Sequence, residues 1–146
     1  MKKFLLFLLV VTLTACDAPA EVLDLHQEYA ALTAAAELPQ MLALDKPAME
    51  SFCGLAQSLL SQGLVYICAD SLRTDEIWLL EAKDKKALEQ IKSLANARLE
   101  QKAAESAGYS PQQYAVVQQA VMLEQGQYFA LLVSPHAAAL RDALGW

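Results

Sequence analysis

The sequence predicts an α+β domain: a four-stranded antiparallel sheet in a ββαββα core, with two additional N-terminal helices. Three observations predict it. Short runs rich in β-branched and aromatic residues come in two pairs, each with a brief connection, which antiparallel strands permit and parallel strands do not. Between the pairs, and again at both ends, the apolar spacing switches to a helical period. Of the 146 residues, the 131 from Cys16 onward suffice for one domain with its own core.

The first 15 residues read as a leader and are excluded from the fold. Lys2 and Lys3 precede an apolar run from Phe4 to Leu13, broken only by Thr12. A bilayer-spanning helix needs about 20 apolar residues, so this run is too short to span and fits a secretory signal. Leu13-Thr14-Ala15-Cys16 resembles the lipobox of bacterial lipoproteins. That resemblance implies cleavage before Cys16, a diacylglycerol on its thiol, and an extracytoplasmic protein anchored to the cell membrane; the alternative is an ordinary secreted protein or an uncleaved anchor. Two acyl chains suffice for stable anchoring where one is marginal. Asp17 resembles the inner-membrane retention signal of Gram-negative lipoproteins, and carries no such meaning in a one-membrane cell. Residues 16–21 form a tether, and 22–146 the single domain.

Loss of Lys2 and Lys3 with the leader leaves 9 basic against 17 acidic side chains, a net charge of −8. Phosphates and anionic headgroups repel such a chain, which argues against nucleic acid and against electrostatic membrane docking.

The elements follow in order. Val22, Leu25, Tyr29, Leu32 and Ala36 share a face of a helix over about 22–37, ended by Pro39. Asp45-Lys46-Pro47 is an N-cap with proline in the first turn, opening a second helix that continues through Met49, Phe52 and Leu59 towards Gly63, weakened by Gly54. Leu64 to Ala69 and Glu76 to Ala82 read as strands joined by the polar stretch 70–75. From Asp84, the positions Leu88, Ile91, Leu94 or Ala95, Leu99 and Ala103 mark a long helix ending at Gly108. Ser110-Pro111 starts a brief turn. Ala115 to Glu124 and Gln127 to Ser134 form a hairpin around Gln125-Gly126, and Ser134-Pro135 caps a final helix stopped by Gly145.

From about Ala48 to Leu144 the chain resembles a bacterial lipoprotein family known as domain of unknown function 4358. The resemblance lies in Cys53-Gly54-Leu55, Val65-Tyr66-Ile67, Asp75-Glu76-Ile77 with Glu81-Ala82-Lys83-Asp84, the run from Ala97 to Lys102, and Gln125-Gly126-Gln127-Tyr128, in that order and spacing. It implies a small anchored extracytoplasmic domain. It also implies a helix closed at Gly54 rather than one continuing to Gln62, and a weakened or broken helix at Gly54 is the preferred reading. Cys53 departs from the family, which usually has tyrosine there.

Chemistry is sparse. His26 and His136 lack the i,i+4 partner of a helical zinc site. Ser134 precedes His136 by two residues but is better used as a cap, and no glycine-flanked serine elbow or phosphate-cradling glycine loop occurs. Asp70, Asp75 and Glu76 do not alternate as a calcium loop requires, and read as a solvated connection. No cofactor or metal is implied. With Cys16 acylated, Cys53 and Cys68 form an even pair: either a disulfide closing a loop of about 15 residues, worth roughly 3 kcal/mol, or two buried free thiols. Tyr66, Trp78 and Tyr128 lie on strands, either as core or, should one sheet face be left uncovered, as a surface for a partner. The resulting expectation is a non-catalytic protein that binds or scaffolds an envelope partner near the membrane. A solute-capturing transporter accessory or a small cell-wall hydrolase are the alternatives.

Overall fold

Four helix starts are set by short polar side chains that accept from otherwise unpaired N–H groups. Asp24 Oδ1 accepts from His26 N–H at 2.9 Å, Asp45 from Ala48, Asp84 from Ala87, and Ser110 Oγ from Gln113. In the computed structural model, which describes residues 22–146, these caps open α1 (Leu25–Ala35), α2 (Lys46–Cys53), α3 (Lys85–Ala107) and α4 (Pro111–Gln118). The leader, Cys16 and the tether lie outside the described residues. A fifth helix, α5 (Ala137–Leu144), follows a turn in which Ser134 Oγ accepts from His136 N–H, and it ends at Gly145 with φ +66°.

The strands are β1 (Met41–Ala43), β2 (Leu60–Cys68), β3 (Glu76–Ala82), β4 (Val121–Gln125) and β5 (Tyr128–Val133). They form one sheet in the order β1-β2-β3-β5-β4, every neighbouring pair antiparallel. The expected four strands are present, and β1 is a fifth. Its three residues are too few to show a period in the sequence. The β4–β5 hairpin turns through Gly126-Gln127 with Gly126 at φ +62°, which suits a two-residue turn with glycine first.

The break preferred at Gly54 is present, and one further expectation is corrected. The second helix stops at Cys53 because Gly54 takes the left-handed conformation, φ +71°, with its N–H bonded back to Glu50 and Met49 carbonyls. A short 3₁₀ turn at Gln57–Leu59 then leads straight into β2, which starts earlier than the apolar run suggests. The segment from Ala115 is not strand throughout. Ser110 and Pro111 begin a full two-turn helix that carries Val116 and Val117 into the core, and only Val121–Gln125 pairs with β5.

The sheet separates two apolar clusters. On one face Val65, Trp78, Leu80, Phe129 and Leu131 pack under α2, α3 and α4. On the other, Ile77, Leu79, Tyr128, Ala130 and Leu132 pack under α1 and α5. β3 and β5 are therefore buried on both sides, which explains why they read as continuous apolar runs.

The chain enters the domain at one end of the strands. There the Tyr128 hydroxyl accepts from Leu23 N–H at 3.1 Å, and Gln62 Nε2 lies between Leu23 O and Glu81 Oε2. Glu81 and Tyr128 are cross-strand partners at this end, whereas Glu76 and Val133 pair at the opposite end.

Candidate binding site

At that opposite end the connection from β2 to β3 is pinned rather than solvated. Thr74 N–H and hydroxyl both donate to Gln113 Oε1 of α4, at 2.8 and 3.0 Å, and the Thr74 carbonyl accepts from Lys102 Nζ of α3 at 3.1 Å. Asp75 is buried and accepts from Arg73 Nε at 3.0 Å. Glu76 is completely enclosed, at 0% exposure.

An enclosed carboxylate is tolerated only if its charge and its lone pairs are met. Glu76 Oε1 accepts from Trp78 Nε1 at 2.8 Å and from Arg98 Nε at 3.1 Å. Its Oε2 accepts from Arg98 Nη2 at 2.9 Å and pairs with Lys102 Nζ at 2.8 Å. Burial would push the Glu76 carboxyl up, but hydrogen bonds from Arg98 and Lys102 and their charges outweigh it and hold it below the ordinary carboxylate value. Beside this cluster, burial and the Glu76 charge push the Cys53 thiol up to about 12. It is an inert thiol at neutral pH.

Arg98 and Lys102 stand four residues apart on α3, one turn of helix, so both reach the same point on the sheet. They continue the buried stripe of Leu88, Ile91 and Ala95. Cations placed on an apolar stripe were the available sign of this cluster, yet an apolar periodicity count passes over them. Nothing in the spacing marks Glu76 as their partner, 22 residues away from Arg98.

Above the enclosed Glu76, the side chains of Arg73, Asp75, Arg98 and Lys102 line the floor of an open cavity of about 300 Å³. Its walls are Leu42 of β1, Phe52 of α2, Ile67 at the end of β2 and Tyr109 after α3. Phe52 is 59% exposed, Tyr109 50% and Leu42 47%. Large apolar side chains gathered in the open beside buried charge are the arrangement expected of a recognition groove.

Residues 34–134 match the family model described as Domain of unknown function (DUF4358). The chain belongs to this family. No curated protein and no solved structure matches it. The DUF4358 region contains every charged residue of the groove floor.

The aromatic residues singled out from the sequence do not form a surface in this domain. Trp78 is fully buried and spends its indole N–H on Glu76. Tyr128 is buried, with its hydroxyl accepting from Leu23 N–H and its ring edge-on to Trp146, centroids 6.2 Å apart. Tyr66 is stacked on Tyr29 of α1 at 3.7 Å with the rings 5° from parallel. The reason is the cover: α1 and α5 close the face that would have exposed the two tyrosines. The suggested disulfide is also absent, and Cys53 and Cys68 are free. Cys53 packs in the α2–α3 cluster, while Cys68 pairs across the strands with Met41, which packs on the α1–α5 side. Cross-strand partners share a face, so the sheet stands between the two thiols. Among the described residues, no three His, Cys, Asp or Glu side chains are grouped to hold a metal ion, and no helix is long and apolar enough to cross a membrane.

Proposed function

We propose that this is a non-catalytic binding domain, held on the extracytoplasmic side of the cell membrane by a diacylglycerol on Cys16, which grips an envelope partner in the groove at the Glu76 end of its sheet. The lipobox-like Leu13-Thr14-Ala15-Cys16 supports the anchoring. The observation that carries the binding role is the groove itself, with Phe52, Tyr109 and Leu42 exposed around a rigid charged floor. A rigid floor suits recognition, because little ordering cost remains to be met on binding. The net charge of the mature chain disfavours nucleic acid as that partner.

Crosslinking in the native membranes, followed by purification of the anchored protein, tests this reading. Phe52→Ala and Tyr109→Ala, both at exposed positions, should each remove the crosslinked species while thermal unfolding is unchanged. Crosslinks indifferent to both variants reject the groove. Metabolic labelling with an alkyne fatty acid tests the anchor: label should be lost in Cys16→Ala, and equal labelling of both proteins rejects it.

A further inference from the structure

The groove contains a surplus of hydrogen-bond donors. Arginine has five N–H groups and lysine three. Arg73 commits two to Asp75, Arg98 commits three to Glu76 and Gln101, and Lys102 commits two to Glu76 and Thr74. Among the described residues, Arg73 thus keeps three N–H groups, Arg98 two and Lys102 one without a protein acceptor. The carboxylates nearest these cations are occupied: Glu76 is enclosed with both oxygens bonded, and both Asp75 oxygens hold Arg73. Glu105, at the solvent rim, accepts from Gln101 Nε2 at 2.8 Å. An occupant that fits both features presents an acceptor to Arg73 and an apolar group to Phe52 and Leu42.

The adjoining sheet edge is also open. Leu44 N–H bonds to Val65 O and Ala69 N–H to Gln40 O, so residues 40, 42 and 44 face β2. The alternating pattern of an antiparallel ladder then turns the N–H and C=O of Met41 and Ala43 outward. β1 is the edge strand, and among the described residues no strand pairs with that side.

Building on the binding role proposed above, we infer that the groove captures the free C-terminus of an extended peptide: the backbone adds to the outer edge of β1, the last side chain is apolar and lies against Phe52 and Leu42, and the terminal carboxylate accepts from Arg73. A chain terminus carries the carboxylate and the side chain on one residue, so both can enter one cavity of about 300 Å³ lined by Arg73, Phe52 and Leu42. Strand addition and carboxylate capture are established modes of peptide recognition.

Fluorescence polarisation on the full chain in detergent tests this. The probes are fluorescein-labelled hexapeptides of mixed sequence ending in free Val, Leu, Ile or Phe. Saturable binding is expected for at least one ending, with a loss of about tenfold or more when the same peptide is amidated, the change expected for one charge-assisted contact. A peptide with an amidated end and an internal aspartate should bind no better than the plain amide. N-acetyl-leucine, which lacks the backbone, should not compete at equal concentration. Ala43→Pro removes an outward N–H that the sheet does not use, and should weaken binding with urea unfolding unchanged. No saturable binding up to about 1 mM, equal binding of acid and amide, or full competition by N-acetyl-leucine overturns the inference. If the peptides fail while Phe52→Ala still removes the membrane crosslink, the groove binds a partner by other chemistry; if both fail, the binding role falls too.

Discussion

Replacing Glu76 by glutamine tests the buried charge cluster directly. The substitution keeps the shape but removes the charge that balances Arg98 and Lys102, whose side chains are 14% and 10% exposed. Breaking a buried pair from one side typically costs about 3–5 kcal/mol, because the remaining charge is left uncompensated. Domains of this size have about 5–15 kcal/mol of stability in all, so the variant should fold but be severely weakened. With a urea slope of about 2 kcal/mol per molar, the midpoint should fall by about 2 M at pH 7, read by circular dichroism. The effect has a defined pH dependence. The folded-state carboxyl lies below its ordinary value of 4.5, so its stabilising contribution is complete above that pH and is lost as the pH falls through the lowered folded value. The gap between wild type and Glu76→Gln should be constant from about pH 6 to 8 and shrink below about 4.5. A midpoint shift under about 0.5 M, or a gap that does not close in acid, would refute the account of Glu76 as the charged hub.

Trp78→Ala should cost about 3–5 kcal/mol and broaden or abolish cooperative unfolding, since the ring is fully buried and its N–H holds Glu76; an unchanged urea midpoint would show that it is not core. Gly54→Ala and Gly126→Ala should each lose about 1–2 kcal/mol by differential scanning calorimetry, because both glycines have positive φ. Gly54→Ala should lose more, as its new Cβ would stand 3.0 Å from Leu94 Cδ2 while that of Gly126 meets nothing within 4 Å; the reverse ranking would count against this packing. Alkylation of the unreduced, denatured protein should label both Cys53 and Cys68, and mass spectrometry detecting an unlabelled pair two hydrogens lighter would reject the separated thiols.

Much of the fold was legible because local chemistry agreed with it. Asp45-Lys46-Pro47 and Asp84 announce helices, Gly126 announces a hairpin, and the structure has each of them. The misreadings arise where two local signals compete. Ala115-Val116-Val117 has the composition of a strand, but the Ser110-Pro111 cap upstream had already started a helix, and Val116 and Val117 are as useful facing a core from helix as from strand. β1 depends on pairing with β2 and has no signature of its own. The groove was not legible at all. Asp75-Glu76 reads as a polar connection in sequence, and it becomes a buried anionic centre only when α3 is laid across the sheet and brings Arg98 and Lys102 to it. Exposure of Phe52 and Tyr109 is likewise a property of the assembled surface, invisible to periodicity.

The strands give the domain a direction. Leu23 is fastened beside Tyr128 and Gln62, and the groove begins where β3 begins, at Glu76. From Glu76 to Ala82 β3 takes six steps, about 20 Å at the usual rise of a strand. In a chain acylated at Cys16, Leu23 would follow the anchor by seven residues, and the groove lies at the strand end away from Leu23. Lengthening the tether would extend the groove's reach from the anchor.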